Sequence, residues 1–311
     1  MRVGLDVGGT KTDAVAVDES GTITGRVRLA TGWGPDGVTA TVVEAIGALA
    51  RERPGDDPIR SVGVGMPGQV VPGSAHVTHA VNLGVAELDL PGRLQPRLGV
   101  AVAVENDVKA AAVGAHALRR RQGETLAYLN LGTGVAAGIV RDGRLWRGPR
   151  GTAGEVGHIS VDPDGPPCQC GQRGCIEALA GGASIARRWE RPSSLPVRDM
   201  MDAADAGDHT ARRLRGDLMA GVAAAVRILV LTVDVDVVVL GGGITALGDR
   251  LRNGVVAELD ASAEASAFMR SLHLRERVEL LPAGSAAAAF GAALIGAARD
   301  REHPQESMIH G

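Results

Sequence analysis

Three apolar runs in this chain end in glycine turns, and two of the turns are nearly the same. RVGLDV (2–7) stops at Gly8-Gly9-Thr10, and LAYLNL (126–131) stops at Gly132-Thr133-Gly134. A third run, VDVVVL (235–240), stops at Gly241-Gly242-Gly243. Runs that are apolar at consecutive positions read as strands covered on both faces, the condition of a parallel sheet flanked by helices. Aromatic residues make up only 2% of the chain, so the interior has to be filled with small and branched aliphatic side chains. The chain is therefore expected to be an α/β protein built on strands that end in close-approach turns.

The order of elements suggests two such sheets. The first half reads as strand, glycine turn, strand, a hairpin turn at Asp18-Glu19-Ser20-Gly21, and strand. Val38, Val42, Val43, Ile46 and Leu49 recur at helical spacing between Asp36 and Arg53, and Pro54 follows the stop. Strands at 59–65 and 100–104 come next, then the alanine-rich helix VKAAAVGAHALRR. The pattern restarts at 126 with a strand, a hairpin around Asp142-Gly143 and an irregular Gly/Pro region to about Cys175. Helices at about 176–189, 198–206 and 209–232 precede the strand at 235–243, and SAAAAFGAALIGAARD closes the chain as a helix. We expect a small N-terminal lobe over 1–115, completed by the helix at 286–300. A larger lobe over 116–285 carries a module at 155–177, and a loose polar tail occupies 301–311.

The formal net charge of −3 supplies no basic field for nucleic acid or an anionic membrane. The most apolar stretch, from Val222 to Gly243, is interrupted by Arg227, Asp234 and Asp236, which argues against a membrane span. Met1 runs directly into a strand without a leader, and three cysteines are an odd count. Both features point to the reducing cytoplasm.

A strand ending in Gly-Gly-Thr or Gly-Thr-Gly lets the backbone come close to a ligand, so that amides and a hydroxyl can surround phosphate oxygens. Asp6 would stand at a strand's carboxyl end, where ligands of open sheets gather and where a carboxylate can hold Mg²⁺. There is no GxxxxGK[ST] and hence no P-loop. A tight hairpin explains any one of these turns, but their recurrence in both halves favours a nucleotide cleft between the lobes. Gly241-Gly242-Gly243 would then leave a flat, uncrowded surface for adenine and ribose.

All three cysteines, Cys168, Cys170 and Cys175, fall within eight positions, and His158 precedes them by ten residues. Cys₃His is a complete tetrahedral set for structural zinc, with no position left for a substrate water. Free buried thiols and a redox role for Cys-Gln-Cys are the other readings; the spacing is not C-x-x-C. Glu155 and Glu177 flank this stretch. Exposed glutamates beside a loop ordinarily do nothing. Drawn together by a metal, however, they and the second ring nitrogen of His158 would form a set of acceptors and a donor suited to a polyhydroxylated ligand.

Asn106 and Asp107 follow the strand at 100–104 and open a helix. Either is a good N-cap. In phosphoryl transfer the same position serves a carboxylate that takes the alcohol's proton, since that chemistry needs positioning and charge neutralisation more than covalent help. Asn106 would bind a neighbouring hydroxyl.

Together these residues resemble the ROK family of bacterial sugar kinases and sugar-responsive repressors. The resemblance rests on DVGGTKT (6–12), GVGMPGQV (63–70), NLG (82–84), ENDVKAAAVGA (105–115), LGTGVAAGIV (131–140), AGEVGHI (153–159), CQCGQRGCIE (168–177) and LGGG (240–243). It implies the two-lobed actin-like ATPase (ribonuclease H-like) fold with a zinc-binding loop, and ATP, Mg²⁺ and Zn²⁺ as cofactors. It also implies Asp107 as base for a hexose 6-hydroxyl, with Gly68, Asn82, Asn106, Glu155, His158 and Glu177 around the sugar. His158, Cys168, Cys170 and Cys175 match the zinc ligands. Asp6, Gly8, Gly9, Thr10, Lys11, Thr12, Gly132, Thr133 and Gly134 match the phosphate positions, with Gly241, Gly242 and Gly243 on the nucleotide. The partners implied are a hexose and ATP, with a homodimer or homotetramer as the assembly. Repressor members carry a helix-turn-helix ahead of the first glycine turn, where this chain has one residue before its first strand.

Two positions depart from the family's pattern. Glucokinases of the family often read NLxW, where this chain has Asn82-Leu83-Gly84-Val85. Lys109 stands where small residues are usual, and a cation in the first turn opposes the helix dipole unless it is a solvated surface lysine. Both departures bear on which sugar is used. Glucose leads, an amino or N-acetylated hexose such as a mannosamine derivative follows, and the glycine turns do not exclude polyphosphate as donor. A non-catalytic sugar sensor is the reading from another class, and Asp107 argues against it.

Overall fold

A computed structural model describes residues 1–52, 58–70, 76–121 and 123–302, with side chains up to 298. Pro54 and the polar tail beyond 302 lie outside the described residues. The chain divides into two compact units: 1–122 with 143–153 and 286–311, and 123–142 with 154–285.

The first unit opens with β1 (Arg2–Val7), β2 (Lys11–Val17) and β3 (Ile23–Ala30), followed by α1 (Gly34–Arg51) and β4 (Ser61–Met66). A small antiparallel sheet of β5 (Gln69–Val70), β6 (His76–Ala80) and β7 (Val85–Asp89) follows. Then come α2 (Leu90–Leu98), β8 (Ala101–Asn106) and α3 (Asp107–Arg119). The main sheet runs β3-β2-β1-β4-β8. β1, β4 and β8 are parallel, in a register that sets Asp6 beside Gly65 and Gly65 beside Glu105. Three carboxyl-terminal strand ends are thus aligned, the edge at which α/β sheets bind ligands.

In the second unit, β9 (Leu126–Leu131) and β10 (Val135–Arg141) form a hairpin across the second glycine turn. The chain turns back at Asp142 and Gly143, both at positive φ, into β11 (Arg144–Trp146), which clusters with the first unit. α4 (Ile176–Ala180), α5 (Gly182–Trp189), α6 (Pro196–Asp205) and α7 (His209–Val233) precede β12 (Val237–Gly241). α8 (Asp249–Glu264), α9 (Ala267–Ser271) and β13 (Val278–Leu280) complete this unit. β9, β12 and β13 are parallel. Among the described residues α7 is the one helix long and apolar enough to cross a membrane. Leu214, Leu218, Val222, Val226 and Leu229 are buried on it, within the core that also holds Leu129, Leu131 and Val238. The helix expected over 176–189 is two helices, because the chain leaves helical geometry at Gly181.

The final helix, α10 (Ala287–Glu302), returns to the first unit and lies across β1, β4 and α3. Glycines make this approach possible. A Cβ on Gly114 would overlap the carbonyl oxygen of Ala287, and a Cβ on Gly291 would overlap that of Ala110. Gly4 and Gly63 meet α10 carbonyls in the same way. With so few aromatic rings to fill space, backbone is packed on backbone.

Candidate active site and metal centre

The first glycine turn is a hairpin closed by the Gly8 amide on the Lys11 carbonyl at 3.0 Å. Gly9, Thr10 and Lys11 are exposed there. Thr12 differs from expectation: it is fully buried and its hydroxyl shares a 2.9 Å hydrogen bond with that of Thr31. It therefore ties β2 to the end of β3 and does not face a ligand. The Thr31 amide donates to the Thr10 carbonyl at 3.1 Å, extending the tie to the turn. Gly9 lies against Asn82, for a Cβ there would stand 3.0 Å from the Asn82 carbonyl oxygen. Asn82 is itself exposed, in a 3₁₀ turn over Val81–Leu83.

Asp6 is half-buried at the end of β1. Burial first, then the charges of Asp107 and Asp13, push its carboxyl up to about 7 against the lowering effect of Lys11. The charge of Asp107 thus opposes ionisation of Asp6, and a divalent cation would ease that conflict. The donor set fits Mg²⁺, a hard cation bound through oxygen.

Asn106, not Asp107, caps α3. Its Oδ1 accepts from the amides of Val108 at 3.0 Å and Lys109 at 3.2 Å, while its Nδ2 donates to the Gly68 carbonyl at 3.2 Å. Gly68 has φ +105° and sits against β6, where a Cβ would come within 2.6 Å of the Thr78 carbonyl oxygen. Asp107 is the first residue of the helix, half-buried, and its Oδ1 accepts from the Val108 amide at 2.9 Å. The preceding Glu105 is buried; it accepts from Arg147 Nε at 2.6 Å and from the Asn106 amide at 3.0 Å.

Lys109 is not a solvated surface residue. It is 7% exposed, and its ammonium donates to the carbonyl of Gly151. A carbonyl partner on the 143–153 segment, far away in sequence, replaces the water that a surface lysine would keep. Val85 is likewise buried, in the core of the first unit, so an aliphatic side chain suits the place.

In the second unit, the Gly132 amide bonds the Gly134 carbonyl at 3.1 Å. The Gly182 and Ala183 amides, at the start of α5, bond the Gly132 and Thr133 carbonyls at 2.9 and 3.0 Å. Thr133 stays exposed at the apex. Glu177, half-buried in α4, accepts the Val135 amide at 2.9 Å. Glycine at 134 leaves room for that carboxylate, which a Cβ there would push aside. Glu177 is consequently a brace for the glycine turn as well as a sugar candidate.

The triglycine departs from the flat surface expected of it. Gly241 is buried in β12, where a Cβ would overlap the Tyr128 ring. Gly242 has φ +88°, and a Cβ there would stand 2.5 Å from the Leu131 carbonyl oxygen. Only Gly243 is open, with nothing within 4 Å of such an atom. The first two glycines serve close backbone packing against β9, and the third alone can lie beside a ligand.

His158, Cys168, Cys170 and Cys175 bring four ligand atoms within 4.8 Å of one another. Cys170 Sγ and Cys175 Sγ are 3.7 Å apart, and Cys168 Sγ is 4.0 Å from His158 Nδ1. The edge of a tetrahedron with Zn–S bonds of about 2.3 Å is about 3.8 Å, while a disulfide needs about 2.05 Å. The set fits a metal and is not a disulfide. Backbone and side-chain hydrogen bonds from Gln172, then Cys168, draw the Cys170 thiol down to about 6, whereas burial pushes Cys175 up to about 12. A metal ion would bring both to thiolate. The loop has almost no core: Cys168, Cys175 and Ala178 form its buried cluster. With Nδ1 facing the thiols, the other ring nitrogen of the exposed His158 remains, and Glu155, three residues earlier, is exposed as well.

The chain matches the ROK family over residues 2–299. It is 29% identical over 282 residues to a glucokinase of Halalkalibacterium halodurans, covering 84% of this chain and 86% of that one. It is 31% identical over 258 residues to an N-acetylmannosamine kinase of Yersinia pseudotuberculosis, covering 82% and 87%. Among solved structures, a ROK hexokinase from Thermus thermophilus superimposes with TM-score 0.78 at 30% identity, over 97% of this chain and 99% of that one. A ROK glucokinase from Streptomyces griseus, in complex with glucose and AMPPNP, does so with TM-score 0.75 at 28% identity, over 96% and 99%.

Proposed function

This chain belongs to the ROK family, with the actin-like ATPase fold, and from that premise we propose that it is an ATP- and Mg²⁺-dependent kinase for the 6-hydroxyl of a hexose. The observation that carries the reading is the pair of acids in the first unit. Asp107 heads α3, which Asn106 caps, and burial, then the charge of Asp107, pushes the Asp6 carboxyl up to about 7. Asp107 takes the hydroxyl proton; Asp6 would hold the cation, which would neutralise phosphate charge. An Asp of ordinary acidity suffices as base, because in a loose transition state the proton leaves late.

Asn82, Asn106 and the Gly68 backbone are the sugar-hydroxyl candidates of the first unit, and Glu155, His158 and Glu177 are those of the second. Gly9, Thr10 and Lys11 are the phosphate candidates of the first turn and Thr133 and Gly134 those of the second, since the Gly8 and Gly132 amides are spent closing the turns themselves. Gly243 lies beside the nucleoside. His158, Cys168, Cys170 and Cys175 would hold zinc, which would supply the folding energy that the loop's small core does not. Bound there, it would also fix the imidazole so that the other ring nitrogen is an N–H donor in a set direction. The reducing cytoplasm, where thiolates persist, is the compartment this implies, and a homodimer or homotetramer is the assembly.

Glucose is the leading substrate. The N-acetylmannosamine kinase relatives, as similar as the glucokinase, support an amino or N-acetylated hexose as the second reading. ADP release measured over a panel of both classes separates them. A kcat/KM for glucose at least tenfold below that for an aminosugar reverses the order, and no release with any hexose removes the kinase reading.

A further inference from the structure

Among the described residues Trp33 is the most exposed aromatic side chain, and it stands beside the candidate sugar residues of the first unit. It is 72% exposed, although an indole is a ring that normally contributes its large area to a core or an interface. It is also held in place. Trp33 is the N-cap of α1, and Thr31, two residues earlier, bonds both Thr10 and Thr12 of the glycine-turn hairpin. One edge of the indole rests on Gly84, where a Cβ would stand 2.6 Å from Nε1 and 2.8 Å from Cζ2. Gly84 adopts φ +67° and closes the 3₁₀ turn that carries Asn82. A side chain at position 84 would have to displace the indole, so glycine lets the ring lie against the turn. Asn82 in turn touches Gly9. The indole therefore stands where the phosphate turn and the sugar turn meet, supported at one edge and bare over the rest.

We propose that Trp33 is a specificity-determining residue: an aromatic platform on which the apolar C–H face of a hexopyranose packs while Asn82 and its neighbours bond the hydroxyls. The inference rests on the kinase reading for the identity of the ligand. The physical logic is that hydroxyl contacts alone exchange water for protein at little net gain, whereas covering an indole removes apolar area from both partners. A platform acting on the sugar in ground and transition states alike changes KM and leaves kcat alone.

Two measurements test it. The first compares wild type, Trp33→Ala and Trp33→Phe in sugar titrations without nucleotide, followed by calorimetry and by tryptophan fluorescence. Trp33→Ala should weaken binding of glucose or N-acetylmannosamine, whichever wild type binds more tightly, by about tenfold. Trp33→Phe should retain affinity within about threefold and lose the sugar-dependent fluorescence change, since Trp146 and Trp189 remain. The second is ADP release, where KM of Trp33→Ala should rise by the same factor with kcat within about twofold. Unchanged affinity in Trp33→Ala, with or without a lower melting temperature, overturns the platform and makes the indole a staple for α1 alone. Wild type that binds sugar with a Trp33-dependent signal but releases no ADP refutes the kinase reading and keeps the platform. Failure of wild type to bind any hexose overturns both.

Discussion

Arg147→Ala should destabilise the protein by about 2 kcal/mol and disturb the sugar contacts without touching a substrate. Glu105 is only 7% exposed at its side chain, Arg147 42%. Removing one partner of a fully buried pair costs about 3–5 kcal/mol, while an exposed pair is worth about 0–1 kcal/mol. Here the acid is buried and the base is half in water, so solvent can enter the space the guanidinium leaves. The Asn106 amide also still donates to the carboxylate. The intermediate figure follows, equivalent to about 4–8 °C in melting temperature at about 2–4 °C per kcal/mol. Glu105→Gln removes the charge that makes the loss expensive, so the double variant should melt above Arg147→Ala, with a coupling energy of about 1 kcal/mol or more in the cycle. Because Glu105 bonds Asn106 and Asn106 bonds Gly68, KM for the sugar should rise several-fold in Arg147→Ala. Scanning calorimetry and steady-state kinetics read both effects. A melting temperature within about 1 °C of wild type, or no coupling between the two sites, refutes the reasoning.

Other substitutions probe separate parts of the account. Metal analysis should find one zinc per chain, and Cys170→Ser should lower metal content and sugar affinity together; sugar binding that survives complete zinc removal breaks that coupling. Glu177→Gln keeps an oxygen for the Val135 amide but loses the charge, so KM should rise more than kcat falls, and the reverse pattern assigns it another role. Asp13 tests pH dependence. Burial would raise its carboxyl, but hydrogen bonds from Arg26 and Arg28 outweigh burial and hold it below its ordinary value. The depressed folded value makes this a contribution present above the unfolded pKa of about 3.9 and lost as pH falls through the folded one. Asp13→Asn should therefore cost about 1 kcal/mol at pH 7, given how exposed the two arginines are, with the gap closing below about pH 4. A gap unchanged in acid contradicts it.

Features whose cause is local were legible in the sequence. The runs at 2–7 and 126–131 end where their glycines do, and α3 begins where Asn106 caps it. The four metal ligands lie close in sequence, so a single short loop brings them together. What escaped depends on partners remote in the chain. Lys109 reads as a surface charge until the Gly151 carbonyl accepts its hydrogen bond. Thr12 reads as a ligand hydroxyl until Thr31 pairs with it, and Gly241 as open surface until Tyr128 covers it. Trp33 and Gly84 are far apart in sequence, and no periodicity joins them. α2 was hidden by Pro96 within it, and α8 by a pattern with few apolar positions, of which Leu251, Val255, Val256 and Leu259 are the buried ones.

The central claim is that Asp107 takes the proton from a sugar hydroxyl, and Asp107→Asn tests it most directly. ADP release and sugar binding measured on the same preparation should show kcat reduced by at least about 1,000-fold with sugar affinity within about threefold of wild type. A loss in kcat under tenfold, with binding intact, would contradict it.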